Sequence, residues 1–153
     1  MTQAPTDLTV TRVIKAPRQR VWQAWADPEQ FVQWWAPKPV RTVSNKHDLF
    51  AGGGFNTTMY LPDGTVAESG EGCFLEVITH ERIVFTDAIR GGWRPNEDAF
   101  FSAIITFEDH PEGAKYTATA MHQNELDCEA HAEMGFMDGW STALAQLADL
   151  AED

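Results

Sequence analysis

Cysteine is nearly absent from this chain: Cys73 and Cys128 are the two in 153 residues, and they stand far apart. They form no paired spacing of the zinc or redox kind, so reduced thiols in a cytoplasmic protein are the expectation. Basic residues are scarce as well. Eleven Lys and Arg face 23 Asp and Glu, for a net charge of −12, and no two basic residues are adjacent. Such a surface repels phosphate backbones and anionic lipid, so neither nucleic acid nor a membrane is an expected partner. No apolar run approaches the roughly 18 residues of a spanning helix. The opening Met1–Asp7 lacks the charged and apolar regions of a signal peptide. What remains is 43% apolar and 22% charged, the composition of an ordinary globular chain. One domain over residues 1–153 is expected, large enough for a core and a cavity within it.

Aromatic residues are concentrated instead of scattered. Trp22, Trp25, Trp34 and Trp35, four of the six tryptophans, fall within fourteen residues. Trp22, Trp25 and Ala26 are spaced three and four apart, which places them on one face of a short helix. Each ring buries roughly 150–250 Å² when covered, so the stretch must pack against something large. Pro17 suits the start of that helix. Asp27-Pro28-Glu29-Gln30 resets the chain, with Asp27 as cap, into a second short helix carrying Phe31, Val32, Trp34 and Trp35.

Residues 8–14 alternate as a first strand, and from residue 40 the period turns to two again. Strands are expected over 40–46, 54–61, 65–78, 82–90, 99–108 and 114–123, with Gly70 and Gly72 marking a bend in the third. The connection 90–98 carries Trp93 and reads as a mobile rim with Gly91-Gly92 as its hinge. From Asn124 the period returns to 3.6. Leu126, Ala130, Met134, Met137, Ser141, Leu144 and Ala148 form one stripe, widened by Trp140 and Leu147. One helix of roughly 25 residues, about 38 Å long, is expected. Gly135 and Gly139 interrupt it, which points to close packing or a slight kink.

Particular spellings recur along this order. They are Ala16-Pro17, Val21-Trp22 and Trp25, Asp27-Pro28, Trp34-Trp35 with Pro37, Asp48-Leu49 and Gly52-Gly53. Beyond them stand Asp63-Gly64, Gly72 with Glu76-Val77, Glu81 through Thr86, Thr106-Phe107-Glu108, and Gly139-Trp140 with Leu144 and Leu147. Together they resemble the START-like superfamily (SRPBCC, the helix-grip fold). Within it they resemble a bacterial single-domain member of the AHSA-like family, named after the activator of the heat-shock ATPase. The resemblance implies an α+β fold. A curved antiparallel sheet of about six to seven strands would wrap a long C-terminal helix, with two short helices after the first strand and a cavity between sheet and helix. It implies no shared catalytic set. The naming activity belongs to proteins with a further chaperone-binding domain, for which this chain is too short. The family often places a basic residue after Asp-Leu; Phe50 stands there, so a more apolar cavity edge is expected.

Phe101, Ala103, Ile105 and Phe107 share one strand face and are assigned to the inside, with Phe100 and Ile104 on the outside as a homodimer surface. The expected wall comprises Trp35, Phe55, Met59, Phe85, Asp87, Trp93, Phe101, Met121, His122, Met134 and Met137. Four methionines suit variable apolar ligands, and small neighbours such as Ala118 and Ala120 leave room. Asp87 and His122 are the expected polar contacts. His122, Cys128 and His131 lie close at a strand–helix junction, but their spacing matches no metal site and no cofactor is expected. A Cys128–His131 nucleophile pair needs a lowered thiol pKa. Glu68 and Asp87 are inward carboxylates only if their strands face that way. The glycine run 52–54 lacks the Gly-Lys-Ser/Thr of a phosphate loop and reads as a hairpin entry needing positive φ. No catalytic motif is identified, and whether a reaction is catalysed stays open. The leading expectation is binding of a small hydrophobic molecule; a cyclase- or hydrolase-type enzyme using the same pocket and a co-chaperone-like interaction module are the alternatives.

Overall fold

Alternation sets the first strand, β1 (Asp7–Ile14), whose Val10 and Ile14 are buried. Pro17 stands at the N-cap of α1 (Arg18–Ala26), which buries Val21, Trp22, Ala24 and Trp25. Asp27 then ends α1 and caps α2 (Pro28–Phe31), its carboxylate accepting from the Glu29 N–H and the Gln30 side chain. This second helix is shorter than expected: Trp34 and Trp35 lie beyond it, in the turn that leads to the sheet. The computed structural model describes residues 5–153; the first four residues of the stretch 1–7, read from sequence as lacking signal-peptide features, lie outside them.

The chain continues through β2 (Arg41–His47), β3 (Gly54–Tyr60), β4 (Val66–Glu68), β5 (Gly72–Ile78), β6 (Arg82–Thr86), β7 (Ile89–Arg90), β8 (Arg94–Pro95), β9 (Ser102–His110) and β10 (Gly113–Met121), then α3 (Glu125–Glu133) and α4 (Phe136–Glu152). The sheet is antiparallel, in the order β1-β10-β9-β6-β5-β3-β2 with β4 on β3, and curls into a half-barrel about the C-terminal helix. This is the expected α+β helix-grip architecture.

Three further elements differ from expectation, each for a local reason. The single strand over 65–78 is two, because Gly70 turns the chain at φ +76° between β4 and β5. The strand over 82–90 stops at Thr86, and β7 pairs instead with β8 in a small separate hairpin. The long C-terminal helix is divided at Gly135, whose φ of +95° is left-handed and ends one helix before the next begins. That break rotates the apolar face. Leu126, Met134 and Met137 are exposed, whereas Cys128, His131, Phe136, Ala143, Leu144, Leu147, Ala148 and Ala151 are buried.

The core is unevenly filled. Around Trp25 stand the rings of Phe31, Trp34, Trp35, His47, Phe55, Phe74 and Phe85, with centroids 5.0–6.2 Å from its own. The Trp25 indole donates to the Tyr116 hydroxyl at 3.1 Å, and His47 Nε2 donates to the Trp25 carbonyl at 2.9 Å. Towards α4 the inward positions are small instead: Ala103, Ala118, Ala120, Ala143 and Ala148 are all buried.

Candidate functional site

Where those small residues face one another, the sheet and α4 do not meet. A cavity of about 520 Å³ lies between them. Val10, Ile105, Tyr116 and Ala118 line it from the sheet, and Gly139, Trp140, Ala143 and Leu144 from α4. Trp34 through Pro37 close one side; Met59, Ser69, Asp87, Phe100, Phe101, His131 and Met134 complete it. The volume falls in the range of small-molecule sites. Gln146 of α4 holds the Trp34–Pro37 segment in place. Its side-chain N–H groups donate to the carbonyls of Trp34 and Ala36, and its oxygen accepts from the Lys38 N–H.

A smaller annex of about 80 Å³ shares Trp35, Ser69, Asp87 and Phe101 with this cavity and adds Phe55, Thr57 and Phe85. Thr57 is 1% exposed and its hydroxyl has no partner. A separate polar cleft, lined by Glu71, Arg90, Asn96, Glu97 and Asp98, meets the apolar cavity only at Ser69 and Asp87. Its charges of both signs face solvent, so the apolar cavity is the candidate site.

Four polar side chains reach the wall. The Asp87 carboxylate is occupied: it accepts from the Phe100 N–H at 2.9 and 3.1 Å and from the Phe101 N–H at 3.3 Å. Burial raises its pKa, while those N–H groups and nearby His122 oppose the rise. Asp87 therefore braces the approach to β9. Ser69 Oγ accepts from the Thr57 N–H and donates to the Gly70 carbonyl. The Tyr116 hydroxyl oxygen accepts a hydrogen bond from the Trp25 indole N–H, and burial pushes its own pKa up. His131 remains, 7% exposed, with Nδ1 2.8 Å from His122 Nε2. His122 Nδ1 lies 2.8 Å from the Thr6 carbonyl. Burial, and then His122, push the His131 pKa down to about 4.

Of the residues assigned to the wall from sequence, Trp35, Met59, Asp87, Phe101 and Met134 line the main cavity, and Phe55 and Phe85 line the annex. The other four do not reach either. Trp93 is half-exposed and its ring lies over Gly52, where an added Cβ would stand 2.6 Å from it. Met121 falls on the outer parity of β10, opposite Ala118 and Ala120. Met137 points to solvent because the Gly135 break rotates α4. His122 is buried one layer behind, holding His131. The segment 90–98 folds as a hairpin beside the polar cleft and is not a rim of the apolar cavity.

His131, Tyr116, Ala143 and Phe100 are wall residues absent from the expected set. Phe100, assigned from sequence to the outer face as a homodimer surface, lines the cavity instead, because it precedes β9, where strand alternation no longer assigns a face. Tyr116 could have been read from the Ala114, Tyr116, Ala118, Ala120 alternation. Burial raises the Cys128 thiol pKa, as do Asp7, Glu129 and Glu125, which is the reverse of what a nucleophile pair with His131 requires. Glu68 is exposed on β4. Among the described residues no three His, Cys, Asp or Glu side chains form a metal-holding group, and no helix is long and apolar enough to cross a membrane.

Residues 15–152 match the family model for the Activator of Hsp90 ATPase homolog 1-like protein. A protein from Nitrosomonas europaea, solved by crystallography, is 35% identical; the match covers 99% of this chain and 97% of that one, with a TM-score of 0.92. A Mycobacterium smegmatis protein is 28% identical over 95% of this chain and 90% of its own, with a TM-score of 0.80. An AHSA1-like protein from Aeromonas hydrophila, 21% identical over 95% of this chain and 92% of its own, shares the fold at a TM-score of 0.70. No curated protein matches the sequence.

Proposed function

The chain belongs to the Activator of Hsp90 ATPase homolog 1-like family, and from that premise we propose that it binds a small hydrophobic or amphipathic molecule between its sheet and C-terminal helix. START-like folds often hold such ligands. The observation that carries the reading is the apolar space of about 520 Å³ left where small residues of β10 and α4 oppose one another. Binding would bury an apolar ligand against Trp35, Phe101 and Trp140, at roughly 25 cal/mol per Å² removed from water. The two buried free thiols, Cys73 and Cys128, support a reducing, cytoplasmic setting.

One observation favours a second reading. His131, an imidazole in a mostly apolar wall, stays unprotonated at neutral pH and is positioned to accept a proton from a bound molecule, although a pKa of about 4 makes it a weak base. Asp87 adds little to it, because its oxygens are already taken by the Phe100 and Phe101 N–H groups. Among the described residues no hydroxyl or thiol is hydrogen-bonded to the ring, so ligand binding ranks first. Native mass spectrometry of the purified protein against its denatured mass tests the choice. A non-covalent apolar adduct of a few hundred daltons, lost on denaturation, is expected. An unliganded protein whose tryptophan fluorescence is also unmoved by pyrene derivatives would overturn the binding reading.

A further inference from the structure

We infer that His131 Nε2 presents an unprotonated lone pair to the cavity, so that the ligand is an apolar molecule carrying a hydrogen-bond donor, of the phenol or alcohol class. The inference rests on the cavity reading and deepens it. It follows from the direction of a hydrogen-bond chain that begins outside the cavity. A backbone carbonyl only accepts, so the 2.8 Å contact from His122 Nδ1 to the Thr6 carbonyl places a proton on that nitrogen. When His122 carries that one proton only, its Nε2 is an acceptor. Its 2.8 Å contact with His131 Nδ1 is then made by a proton on His131 Nδ1. A neutral imidazole has one N–H, and that one is used. His131 Nε2 is left with a lone pair.

The surroundings decide what that lone pair can meet. Phe100, Phe101 and Phe136 stand with ring centroids 5.0–5.1 Å from the His131 ring, and Trp140 at 6.1 Å. Nε2 makes no hydrogen bond among the described residues, and it is not one of the buried polar atoms left without a partner. The ring lines the cavity, and because Nδ1 is turned to His122, Nε2 is the ring nitrogen left to meet a ligand. A ligand hydroxyl would complete the chain from ligand to His131 to His122 to Thr6. A ligand offering only an acceptor would set two lone pairs against each other in an apolar wall, a costly arrangement.

The test is a matched pair of probes, 1-hydroxypyrene and 1-methoxypyrene, titrated at pH 7 against the intact protein by probe fluorescence and tryptophan quenching. The two share an apolar body and differ in whether the oxygen can donate. Binding of the hydroxyl compound about tenfold more tightly is expected, with the ratio falling to about one in His131→Phe. Equal affinities, or tighter binding of the ether, would overturn the assignment while leaving the cavity reading intact. If neither probe binds, both fall. Long-range ¹H–¹⁵N correlation of the unaltered protein tests the same point without a variant. Protonation on His131 Nδ1 is expected, and protonation on Nε2 would overturn the assignment.

Discussion

Replacing Ala143 by Leu asks whether the space beneath α4 is empty, because the sign of the effect depends on the answer. Ala143 is buried within α4 yet lines the cavity. Alanine and leucine differ little in helix propensity, so the backbone is not at issue. Into an empty cavity the substitution adds three carbons, each stabilising by about 0.8 kcal/mol when buried. Fixing the leucine side chain costs about 0.5–1 kcal/mol in entropy. The net gain is roughly 1.5–2 kcal/mol, which for a chain of this size raises Tm by about 3–8 °C. Into a filled core the same carbons would cost about 1–3 kcal/mol in overpacking, and Tm would fall. Differential scanning calorimetry on protein refolded from denaturant, so that no carried-over ligand contributes, reads the difference. Probe affinity should drop in the same variant, since leucine occupies ligand space. A lowered Tm together with unchanged probe binding would refute the reasoning.

Gln146→Ala removes three hydrogen bonds that hold residues 34–38 to α4, and should cost about 1–2 kcal/mol in urea denaturation as well as weakening probe binding. Stability should also fall on acidification. His131 sits at about 4 in the folded protein against 6.5 as its ordinary value, so the unfolded chain binds more protons between those limits. Stability is complete above that window and is lost as pH drops through it. His47, lowered by burial, acts in the same direction, and Asp87, raised by burial, acts against it. Allowing for water that reaches the ring, His131 should account for about 1–2 kcal/mol between pH 7.5 and pH 5, a difference that His131→Phe removes when urea midpoints are compared. Two glycines should behave differently. A Cβ on Gly53 would lie 1.9 Å from the Asp48 carbonyl oxygen, so Gly53→Ala should cost several kcal/mol or abolish folding. Gly135→Ala meets open space and should cost only the roughly 1–2 kcal/mol of a left-handed residue, read by thermal melts of both variants.

The sheet was legible because its cues are local. Ala103, Ile105 and Phe107 alternate as the buried face of β9, and Asp27-Pro28 marks the reset between α1 and α2 within a few residues. The division of the last helix was not. Met134 and Met137 continue the apolar stripe across Gly135, so the periodicity carries no mark of the rotation that exposes them. The His122–His131 pair was hidden for a different reason. Its partners lie on the two sides of a strand–helix junction, and their meeting depends on where α3 rests, not on a spacing. Residues of the site that belong to the sheet could be placed by parity. Those on the helices depended on a backbone angle at one glycine.

The uneven filling of the core explains how such a protein can hold a cavity and remain folded. A cavity of about 520 Å³ forfeits packing contacts along its lining. That loss has to be offset elsewhere. At the other end of the same sheet, Trp25 and the seven rings about it bury a large apolar area, with offset and edge-on pairs adding about 0.5–1.5 kcal/mol each. The polar atoms inside that cluster are largely matched as well, through the Trp25–Tyr116 and His47–Trp25 hydrogen bonds. Trp35 belongs to both regions, packing against Trp25 on one side and lining the cavity on the other. The aromatic end therefore keeps the sheet curled whether or not the cavity is occupied. Side chains that face only the cavity, Ala118 and Ala143 among them, are left free to set the shape of the ligand.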